Sequence, residues 1–279
     1  VNGTTVPPVP VLDPGRISRL RDVFAGGHLA LEADRRAAAG ILERWPATAD
    51  LVKGANAFHE RAAAWAVSGG TPDSPVPPAA GVIFAACGYP LPGGFHAAAR
   101  AARPDALYCY ASADPVTVSY CRSLLAVCDP LRVSAYQASA RDPAAVLGAF
   151  AAQVLLDRGP VMVQLQFCAQ RWPSAFCAWA VAEYGRLLPS GSTLALSLGV
   201  PGGGNPSSAE LVAGLSRAGA SEFHAHDEAE VTAWITEAEP KLILAGIGDV
   251  RGRELEWATA RFAALRPAAR VIEAVALVP

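Results

Sequence analysis

The chain has 279 residues, of which 52% are hydrophobic, and 23 Lys plus Arg stand against 25 Asp plus Glu for a net charge of −2. That length and apolar share suffice for one sizeable core, and the balanced charge lacks the basic footprint that phosphate neutralisation requires, which argues against a nucleic-acid partner. No apolar run reaches the ~18 residues of a membrane span and no charged region precedes an apolar one at the start, so the expectation is a soluble, cytoplasmic protein with no membrane partner.

Residues 1–15 hold four prolines and no periodic apolar face, and they read as a flexible arm. From Arg16 to about Val67 the text is helical, rich in Ala, Leu, Arg and Glu, with breaks at Gly26-Gly27, at Pro46 and around Gly54. Residues 68–81, SGGTPDSPVPPAAG, read as a Gly/Pro-rich loop that links this helical cap to an α/β region.

From residue 82 short apolar runs alternate with helical stretches, the mark of parallel strands joined by crossovers. Strands are expected at 82–87, 106–111, 131–137, 161–167, 193–199, 221–225, 241–247 and 271–277. Helices fit 94–102, 115–126, 143–157, 173–188, 207–218, 227–237 and 253–265, with Pro115, Pro143 and Pro173 where a first-turn proline is tolerated. The organisation is therefore an arm (1–15), a cap and linker (16–81) and one α/β core (82–279).

An open parallel sheet binds ligands beyond the carboxyl ends of its strands, which directs attention to residues after Cys87, Tyr110, Gln137 and Phe167. Gln164 and Gln166 lie two apart on an expected central strand and so share a face, either as core amides or as lining of a ligand cavity. Gln170 and Arg171 follow in the next loop. His28 and His59 are candidate acid–base groups, Gln166 and Gln170 candidate polar catalytic partners, and the His224-x-His226 pair lacks an evident third metal ligand. Six cysteines without C-x-x-C spacing read as buried thiols, so no metal site is expected. The glycine-rich 199–206 segment lacks the lysine of a phosphate loop and reads as a flexible loop or lid.

Five strings in order, DVFAGGHLALEADR (22–35), ANAFHERAA (55–63), ADPVTVSYCRSLLA (113–126), ARDPAAVL (140–147) and LLPSGSTLALS (187–197), resemble an actinobacterial family of S-adenosylmethionine-dependent methyltransferases, formerly a domain of unknown function. The resemblance spans about 16–250 and implies a Rossmann-like class I methyltransferase fold: a seven-stranded, mostly parallel sheet with helices on both faces and an N-terminal helical cap. It also implies cofactor contacts from Gly26, Gly27, Gly88, Ser112, Asp114 and Ser139. Substrate contacts are expected from Tyr110 at its strand end, from Gln164 and Arg171, and from Phe84 and Tyr89 filling the space vacated by the cofactor.

Four positions depart from the family pattern, three of them at acids. Phe84 stands at the first-strand acid with Ala86 at the first glycine, Ser112 at the ribose acid and Ser139 at an Asp near the adenine. Each lost hydrogen bond costs about 0.5–1.5 kcal/mol, up to about 3 for a charged partner, so three losses together would weaken cofactor binding by orders of magnitude. The expectation is a methyltransferase-fold enzyme that uses no cofactor and binds a small hydrophobic metabolite, guiding a cyclisation, isomerisation or elimination in secondary metabolism. Two alternatives stand beside it: a working S-adenosylmethionine-dependent methyltransferase on a small molecule, and a non-catalytic binding or regulatory protein. A homodimer is compatible with each.

Overall fold

The computed structural model describes residues 14–72, 74–86, 88, 89, 95–128, 132–201, 224, 226–239, 242–249 and 269–279. Three helices come first, α1 (Pro14–Ala25), α2 (Glu32–Arg44) and α3 (Ala47–Ser68). Strands and helices then alternate: β1 (Gly81–Ala85), α4 (Phe95–Ala102), β2 (Leu107–Ser112), α5 (Pro115–Cys128), β3 (Val133–Gln137), α6 (Pro143–Gly148), α7 (Phe150–Leu156) and β4 (Met162–Gln166). The series continues through α8 (Ser174–Leu187), β5 (Thr193–Pro201), α9 (Glu228–Thr236), β6 (Ile243–Asp249) and β7 (Ala269–Leu277). None of the described helices is long and apolar enough to cross a membrane.

The seven strands form one sheet in the order β3-β2-β1-β4-β5-β7-β6. The first five are parallel and β7 runs antiparallel between β5 and β6. This is the Rossmann-like class I arrangement expected from the sequence. The strand order reverses between β1 and β4, which makes their carboxyl ends the switch point where a ligand crevice opens.

Alternation along the strands sorts side chains between two apolar layers. Val82, Phe84, Tyr108, Tyr110 and Met162 meet Phe58 and Ala62 of α3 on one face. Ile83, Cys109, Val163 and Leu165 meet Tyr184 of α8 and Trp234 of α9 on the other. Both faces are covered, as parallel strands demand, and each large side chain so buried is worth about 1.5–3 kcal/mol. Gly81 starts β1 where the backbone of Leu107 approaches so closely that a Cβ would collide with its carbonyl.

Several boundaries differ from expectation. The helix expected to break near Gly54 is continuous from Ala47 to Ser68, because Gly54 lies on the buried side, where packing outweighs its weak propensity. The single helix expected over 143–157 is two, parted at Ala149, whose ψ of 140° is extended. The 68–81 linker contains a two-residue antiparallel ladder joining Gly70–Thr71 to Ser74–Pro75, and Pro14 and Gly15 belong to α1 and not to an arm. The helices expected at 207–218 and 253–265 lie outside the described residues, as does the 221–225 strand apart from His224, which is not in a strand.

Candidate functional site

The site is organised by the last turn of α1. Gly26, at φ 90°, ends the helix: its N–H donates to Val23 O at 3.0 Å and the Gly27 N–H donates to Asp22 O at 2.7 Å, the paired bonds of a left-handed helix stop. The Asp22 carboxylate accepts from the Leu29 N–H at 2.7 Å and lies so close to Gly27 that a Cβ there would strike it. Arg19 bonds Asp34 of α2 at 2.6 Å. This turn is thereby fixed, and Arg21 projects from it over the strand ends.

Arg21 donates to Ala86 O at 3.2 Å and to Gln166 Oε1, and its guanidinium lies 5.7 Å from the centre of the Phe167 ring. Gln166 in turn donates to Asn56 Oδ1 of α3 at 2.6 Å, so its amide is oriented at both ends. Ala86 and Phe167, which follow β1 and β4, take φ of 55° and 53°. A left-handed backbone at a residue with a side chain costs about 1–3 kcal/mol, and such strain clusters at ligand sites. Ala86 occupies the position that the family resemblance gives to a glycine, and its backbone has the conformation a glycine would favour.

Arg21 borders two adjoining clefts. The first holds about 550 Å³ of empty space, open solvent included. Ser112 and Ala113 at the end of β2, Ser139 and Arg141 after β3, and Gln166, Phe167, Arg171 and Trp172 at and beyond the end of β4 line it. The second holds about 390 Å³ between α1, α3 and the β1 end, with Asp22, Asn56, Glu60, Gly88 and Tyr89 in its wall. Burial pushes the carboxyls of Asp22 and Glu60 above the usual carboxylate range; bonds to the Leu29 and Ala30 backbone temper the first, and Arg61 the second. Asp22 Oδ1 is buried with no hydrogen-bond partner among the described residues.

The predicted residues divide into those at the clefts and those elsewhere. Ser112, Ser139, Gln166 and Arg171 line the first cleft, and Gly88 and Tyr89 the second. Phe84 is stacked between Phe95 and Tyr110 at centroid distances of 5.1 and 4.7 Å, and Tyr110 bonds His96 Nδ1 at 2.7 Å, so both pack in the core and line neither cleft; Phe84 does not fill a vacated cofactor space. Gln164 donates to His59 O at 2.8 Å inside the α3 interface. His59 is fully buried with Nε2 2.9 Å from Ser197 Oγ, and burial, aided by Arg21, holds its pKa down at about 3, which keeps the ring neutral.

Asp114, the candidate ribose acid, caps α5: its oxygens accept from Val116 N, Thr117 N and Thr117 Oγ1 at 3.2, 2.9 and 2.6 Å. Gly26 and Gly27 stop α1, and His28, which is exposed, lines neither cleft. Gln170 accepts through its carbonyl from His224 N at 2.7 Å. Cys109, Cys121, Cys168 and Cys177 are free and buried, and burial lifts the thiols of Cys109 and Cys168 to about 11 and 12, leaving these two inert. Sequence reasoning missed Ser18, Arg21, Asp22, Asn56, Arg141 and Glu60. The i, i+4 pair Asn56 and Glu60, which share one side of α3, was the available signal.

S-adenosylmethionine presents a zwitterionic amino-acid end, a ribose diol and an adenine. The donor set fits these needs in type. Arg21 offers a guanidinium fork and its neighbour Asp22 an orphaned acceptor oxygen, the two charges a zwitterion requires. The Ser112 and Ser139 hydroxyls accept from Asp114 N and Arg141 N at 3.2 and 3.3 Å and keep their own protons to donate.

A family model described as S-adenosyl methyltransferase matches residues 12–251. A DUF574 family protein from Streptomyces avermitilis superposes with a TM-score of 0.75 at 22% identity, covering 94% of this chain and 97% of that one. A protein from Thermobifida fusca, provisionally named a methyltransferase, gives 0.77 at 20% identity and 94% coverage of both chains. A geranyl diphosphate methyltransferase in complex with S-adenosylmethionine gives 0.51 at 12% identity, covering 92% of this chain and 95% of that one. No curated protein sequence matches the chain. The family match overturns the expectation of an enzyme without a cofactor, since S-adenosylmethionine is the family's cofactor and the three replaced acids do not remove the chain from it. This chain belongs to the S-adenosyl methyltransferase family.

Proposed function

We propose that the protein transfers a methyl group from S-adenosylmethionine to a small molecule with an apolar body, held in the clefts under the helical cap. The observation that carries this reading is the family match over residues 12–251, joined to a crevice at the switch point of the sheet. Arg21 and Asp22 would hold the amino-acid end of the cofactor, and Ser112 and Ser139 its nucleoside. When bound, S-adenosylmethionine supplies an electrophilic methyl group on a sulfonium.

The chain's own residues account for the remaining work. Gln166, clamped between Arg21 and Asn56, fixes the floor between the clefts. Phe167 and Trp172 in one wall and Tyr89 and Phe95 in the other bring apolar surface against the acceptor and exclude water. Glu60, whose carboxyl is pushed upward by burial, takes the acceptor's proton as its nucleophile reacts.

Calorimetric titration with S-adenosylmethionine and S-adenosylhomocysteine tests the reading. Micromolar binding of both is expected, followed by release of S-adenosylhomocysteine when extracts containing the acceptor are supplied. Failure of either ligand to bind the folded protein at millimolar concentration sinks the proposal.

A further inference from the structure

The first cleft carries a charge for which cofactor binding does not account. Three guanidiniums, Arg21, Arg141 and Arg171, line it, and no carboxylate does among the described residues. Arg21 bonds Ala86 and Gln166 and is the arginine assigned above to the amino-acid end of the cofactor. Neither Arg141 nor Arg171 has an ion pair with a described carboxylate. The acid nearest in sequence, Asp142, is engaged as the cap of α6, where its side chain accepts from Ala145 N at 2.9 Å.

We infer that Arg141 and Arg171 form an oxyanion subsite that grips a phosphate or carboxylate group of the methyl acceptor. The two arginines are held ready for a ligand. Arg141 donates through Nη2 to Arg171 O at 3.0 Å, and its guanidinium lies 5.5 Å from the Phe176 ring centre. Arg171 sits in the short 3₁₀ turn Ala169–Arg171, and that turn is pinned by His226 Nε2 against Ala169 O at 3.1 Å and Trp172 O at 3.0 Å. Arg171 Nε is buried with no hydrogen-bond partner among the described residues. Burial lowers both guanidinium pKa values, and Arg171 depresses that of Arg141 further.

Two like charges withdrawn from water without a counter-charge are unfavourable, and an oxyanion between them removes that cost. A guanidinium fork matches the geometry of carboxylate and phosphate oxygens, a role a lysine would fill less well. The acceptor then has an apolar body against Phe167 and Trp172 and an anionic head between the two arginines. Assignment of the anion to an acceptor rests on the methyltransferase reading; the oxyanion subsite stands on the arginines alone.

The test uses the full chain with inorganic pyrophosphate and with citrate, each against sodium chloride of equal ionic strength, read by thermal unfolding. At about ten times its dissociation constant a bound anion should raise Tm by roughly 3 °C. Arg141→Gln and Arg171→Gln should abolish the shift while changing S-adenosylhomocysteine affinity by less than about threefold, an allowance below the tenfold that 1.4 kcal/mol represents. A shift with pyrophosphate alone assigns a phosphorylated acceptor, and one with citrate alone a carboxylated acceptor. No shift beyond chloride for the wild type overturns the subsite, whatever the variants do. Full competition between pyrophosphate and S-adenosylhomocysteine overturns its assignment to the acceptor. Loss of S-adenosylhomocysteine binding with an intact pyrophosphate shift strikes the methyltransferase reading instead.

Discussion

The clefts on the two sides of Arg21 share that residue and Ser18 yet differ in sign: Arg141 and Arg171 wall one, Asp22 and Glu60 the other. The first is built from loops after β2, β3 and β4, so its polar groups come from the sheet. The second takes its acids from α1 and α3, helices that only lie over the sheet. The difference teaches that charge in this crevice is distributed by architecture: the sheet supplies cations, the cap supplies anions, and Arg21 carries a cation of the cap in among the sheet's groups. A ligand spanning both must be polarised in the opposite sense.

The sharpest way to break that contrast is to neutralise the acidic side. Glu60→Gln should lower kcat about 10²–10⁴-fold with KM little changed, the usual scale for losing a general base. Because Glu60 acts as the carboxylate and its pKa is raised by burial, kcat/KM should fall as pH drops through a value above the ordinary glutamate range, and the variant should lose that acid limb. A parallel fall in affinity without loss of kcat would assign Glu60 to binding instead.

Removing the shared residue comes next. Arg21→Ala deletes the bonds to Ala86 and Gln166, and a hydrogen bond to a charged group is worth about 1.5–3 kcal/mol. S-adenosylhomocysteine affinity should fall roughly 10–100-fold by calorimetry. An unchanged affinity would show that the clefts work independently of the bar between them.

His59 sharpens the comparison from behind the acidic cleft. Its pKa is about 3 in the fold against 6.5 unfolded, so the unfolded chain alone takes up the proton between those values. Stability from its neutral burial is therefore complete above pH 6.5 and declines as pH falls toward 3, by about 1.4 kcal/mol per pH unit at most. Urea unfolding of His59→Gln from pH 7 to pH 4 should give a shallower slope than the parent. The pH profile of kcat/KM should keep its shape, because His59 lines neither cleft. The smallest effect is Gly26→Ala, which forces a Cβ into a left-handed stop and should cost about 1 kcal/mol in urea without altering ligand affinity.

Much of this architecture is legible in the sequence alone. Strand centres follow from apolar runs, and the rule that ligands gather beyond strand ends leads to Ser112, Ser139, Gln166 and Arg171. The same rule misleads for Phe84 and Tyr110. They are paired neighbours in the sheet whose alternation points them at α3 and α4, and which face a strand turns inward depends on its register with distant elements. Gln164 and Gln166 share a face, but only Gln166 is far enough along β4 to clear the packing beneath α3. Arg21, Asp22, Asn56 and Glu60 escape a sequence reading because helices reach the site through tertiary placement, which local periodicity does not encode. His59 stands out in the sequence where its neighbour Glu60 lines the cleft, an offset of about 100° around a helix.

The antiparallel β7 lies between β5 and β6, so β6 reaches the sheet only through a strand that comes after it in the chain. Order of synthesis and order of assembly are therefore inverted at this edge. Residues 243–249 must wait, with their backbone amides unmatched, until 269–277 arrive. The ladder from Thr193–Leu277 to Pro201–Ala269 then closes β7 onto β5. Nascent chains halted before residue 269 should thus expose the edge of β5, the longest parallel strand, to pairing with other chains. The half of the sheet bearing both clefts is already complete at that stage.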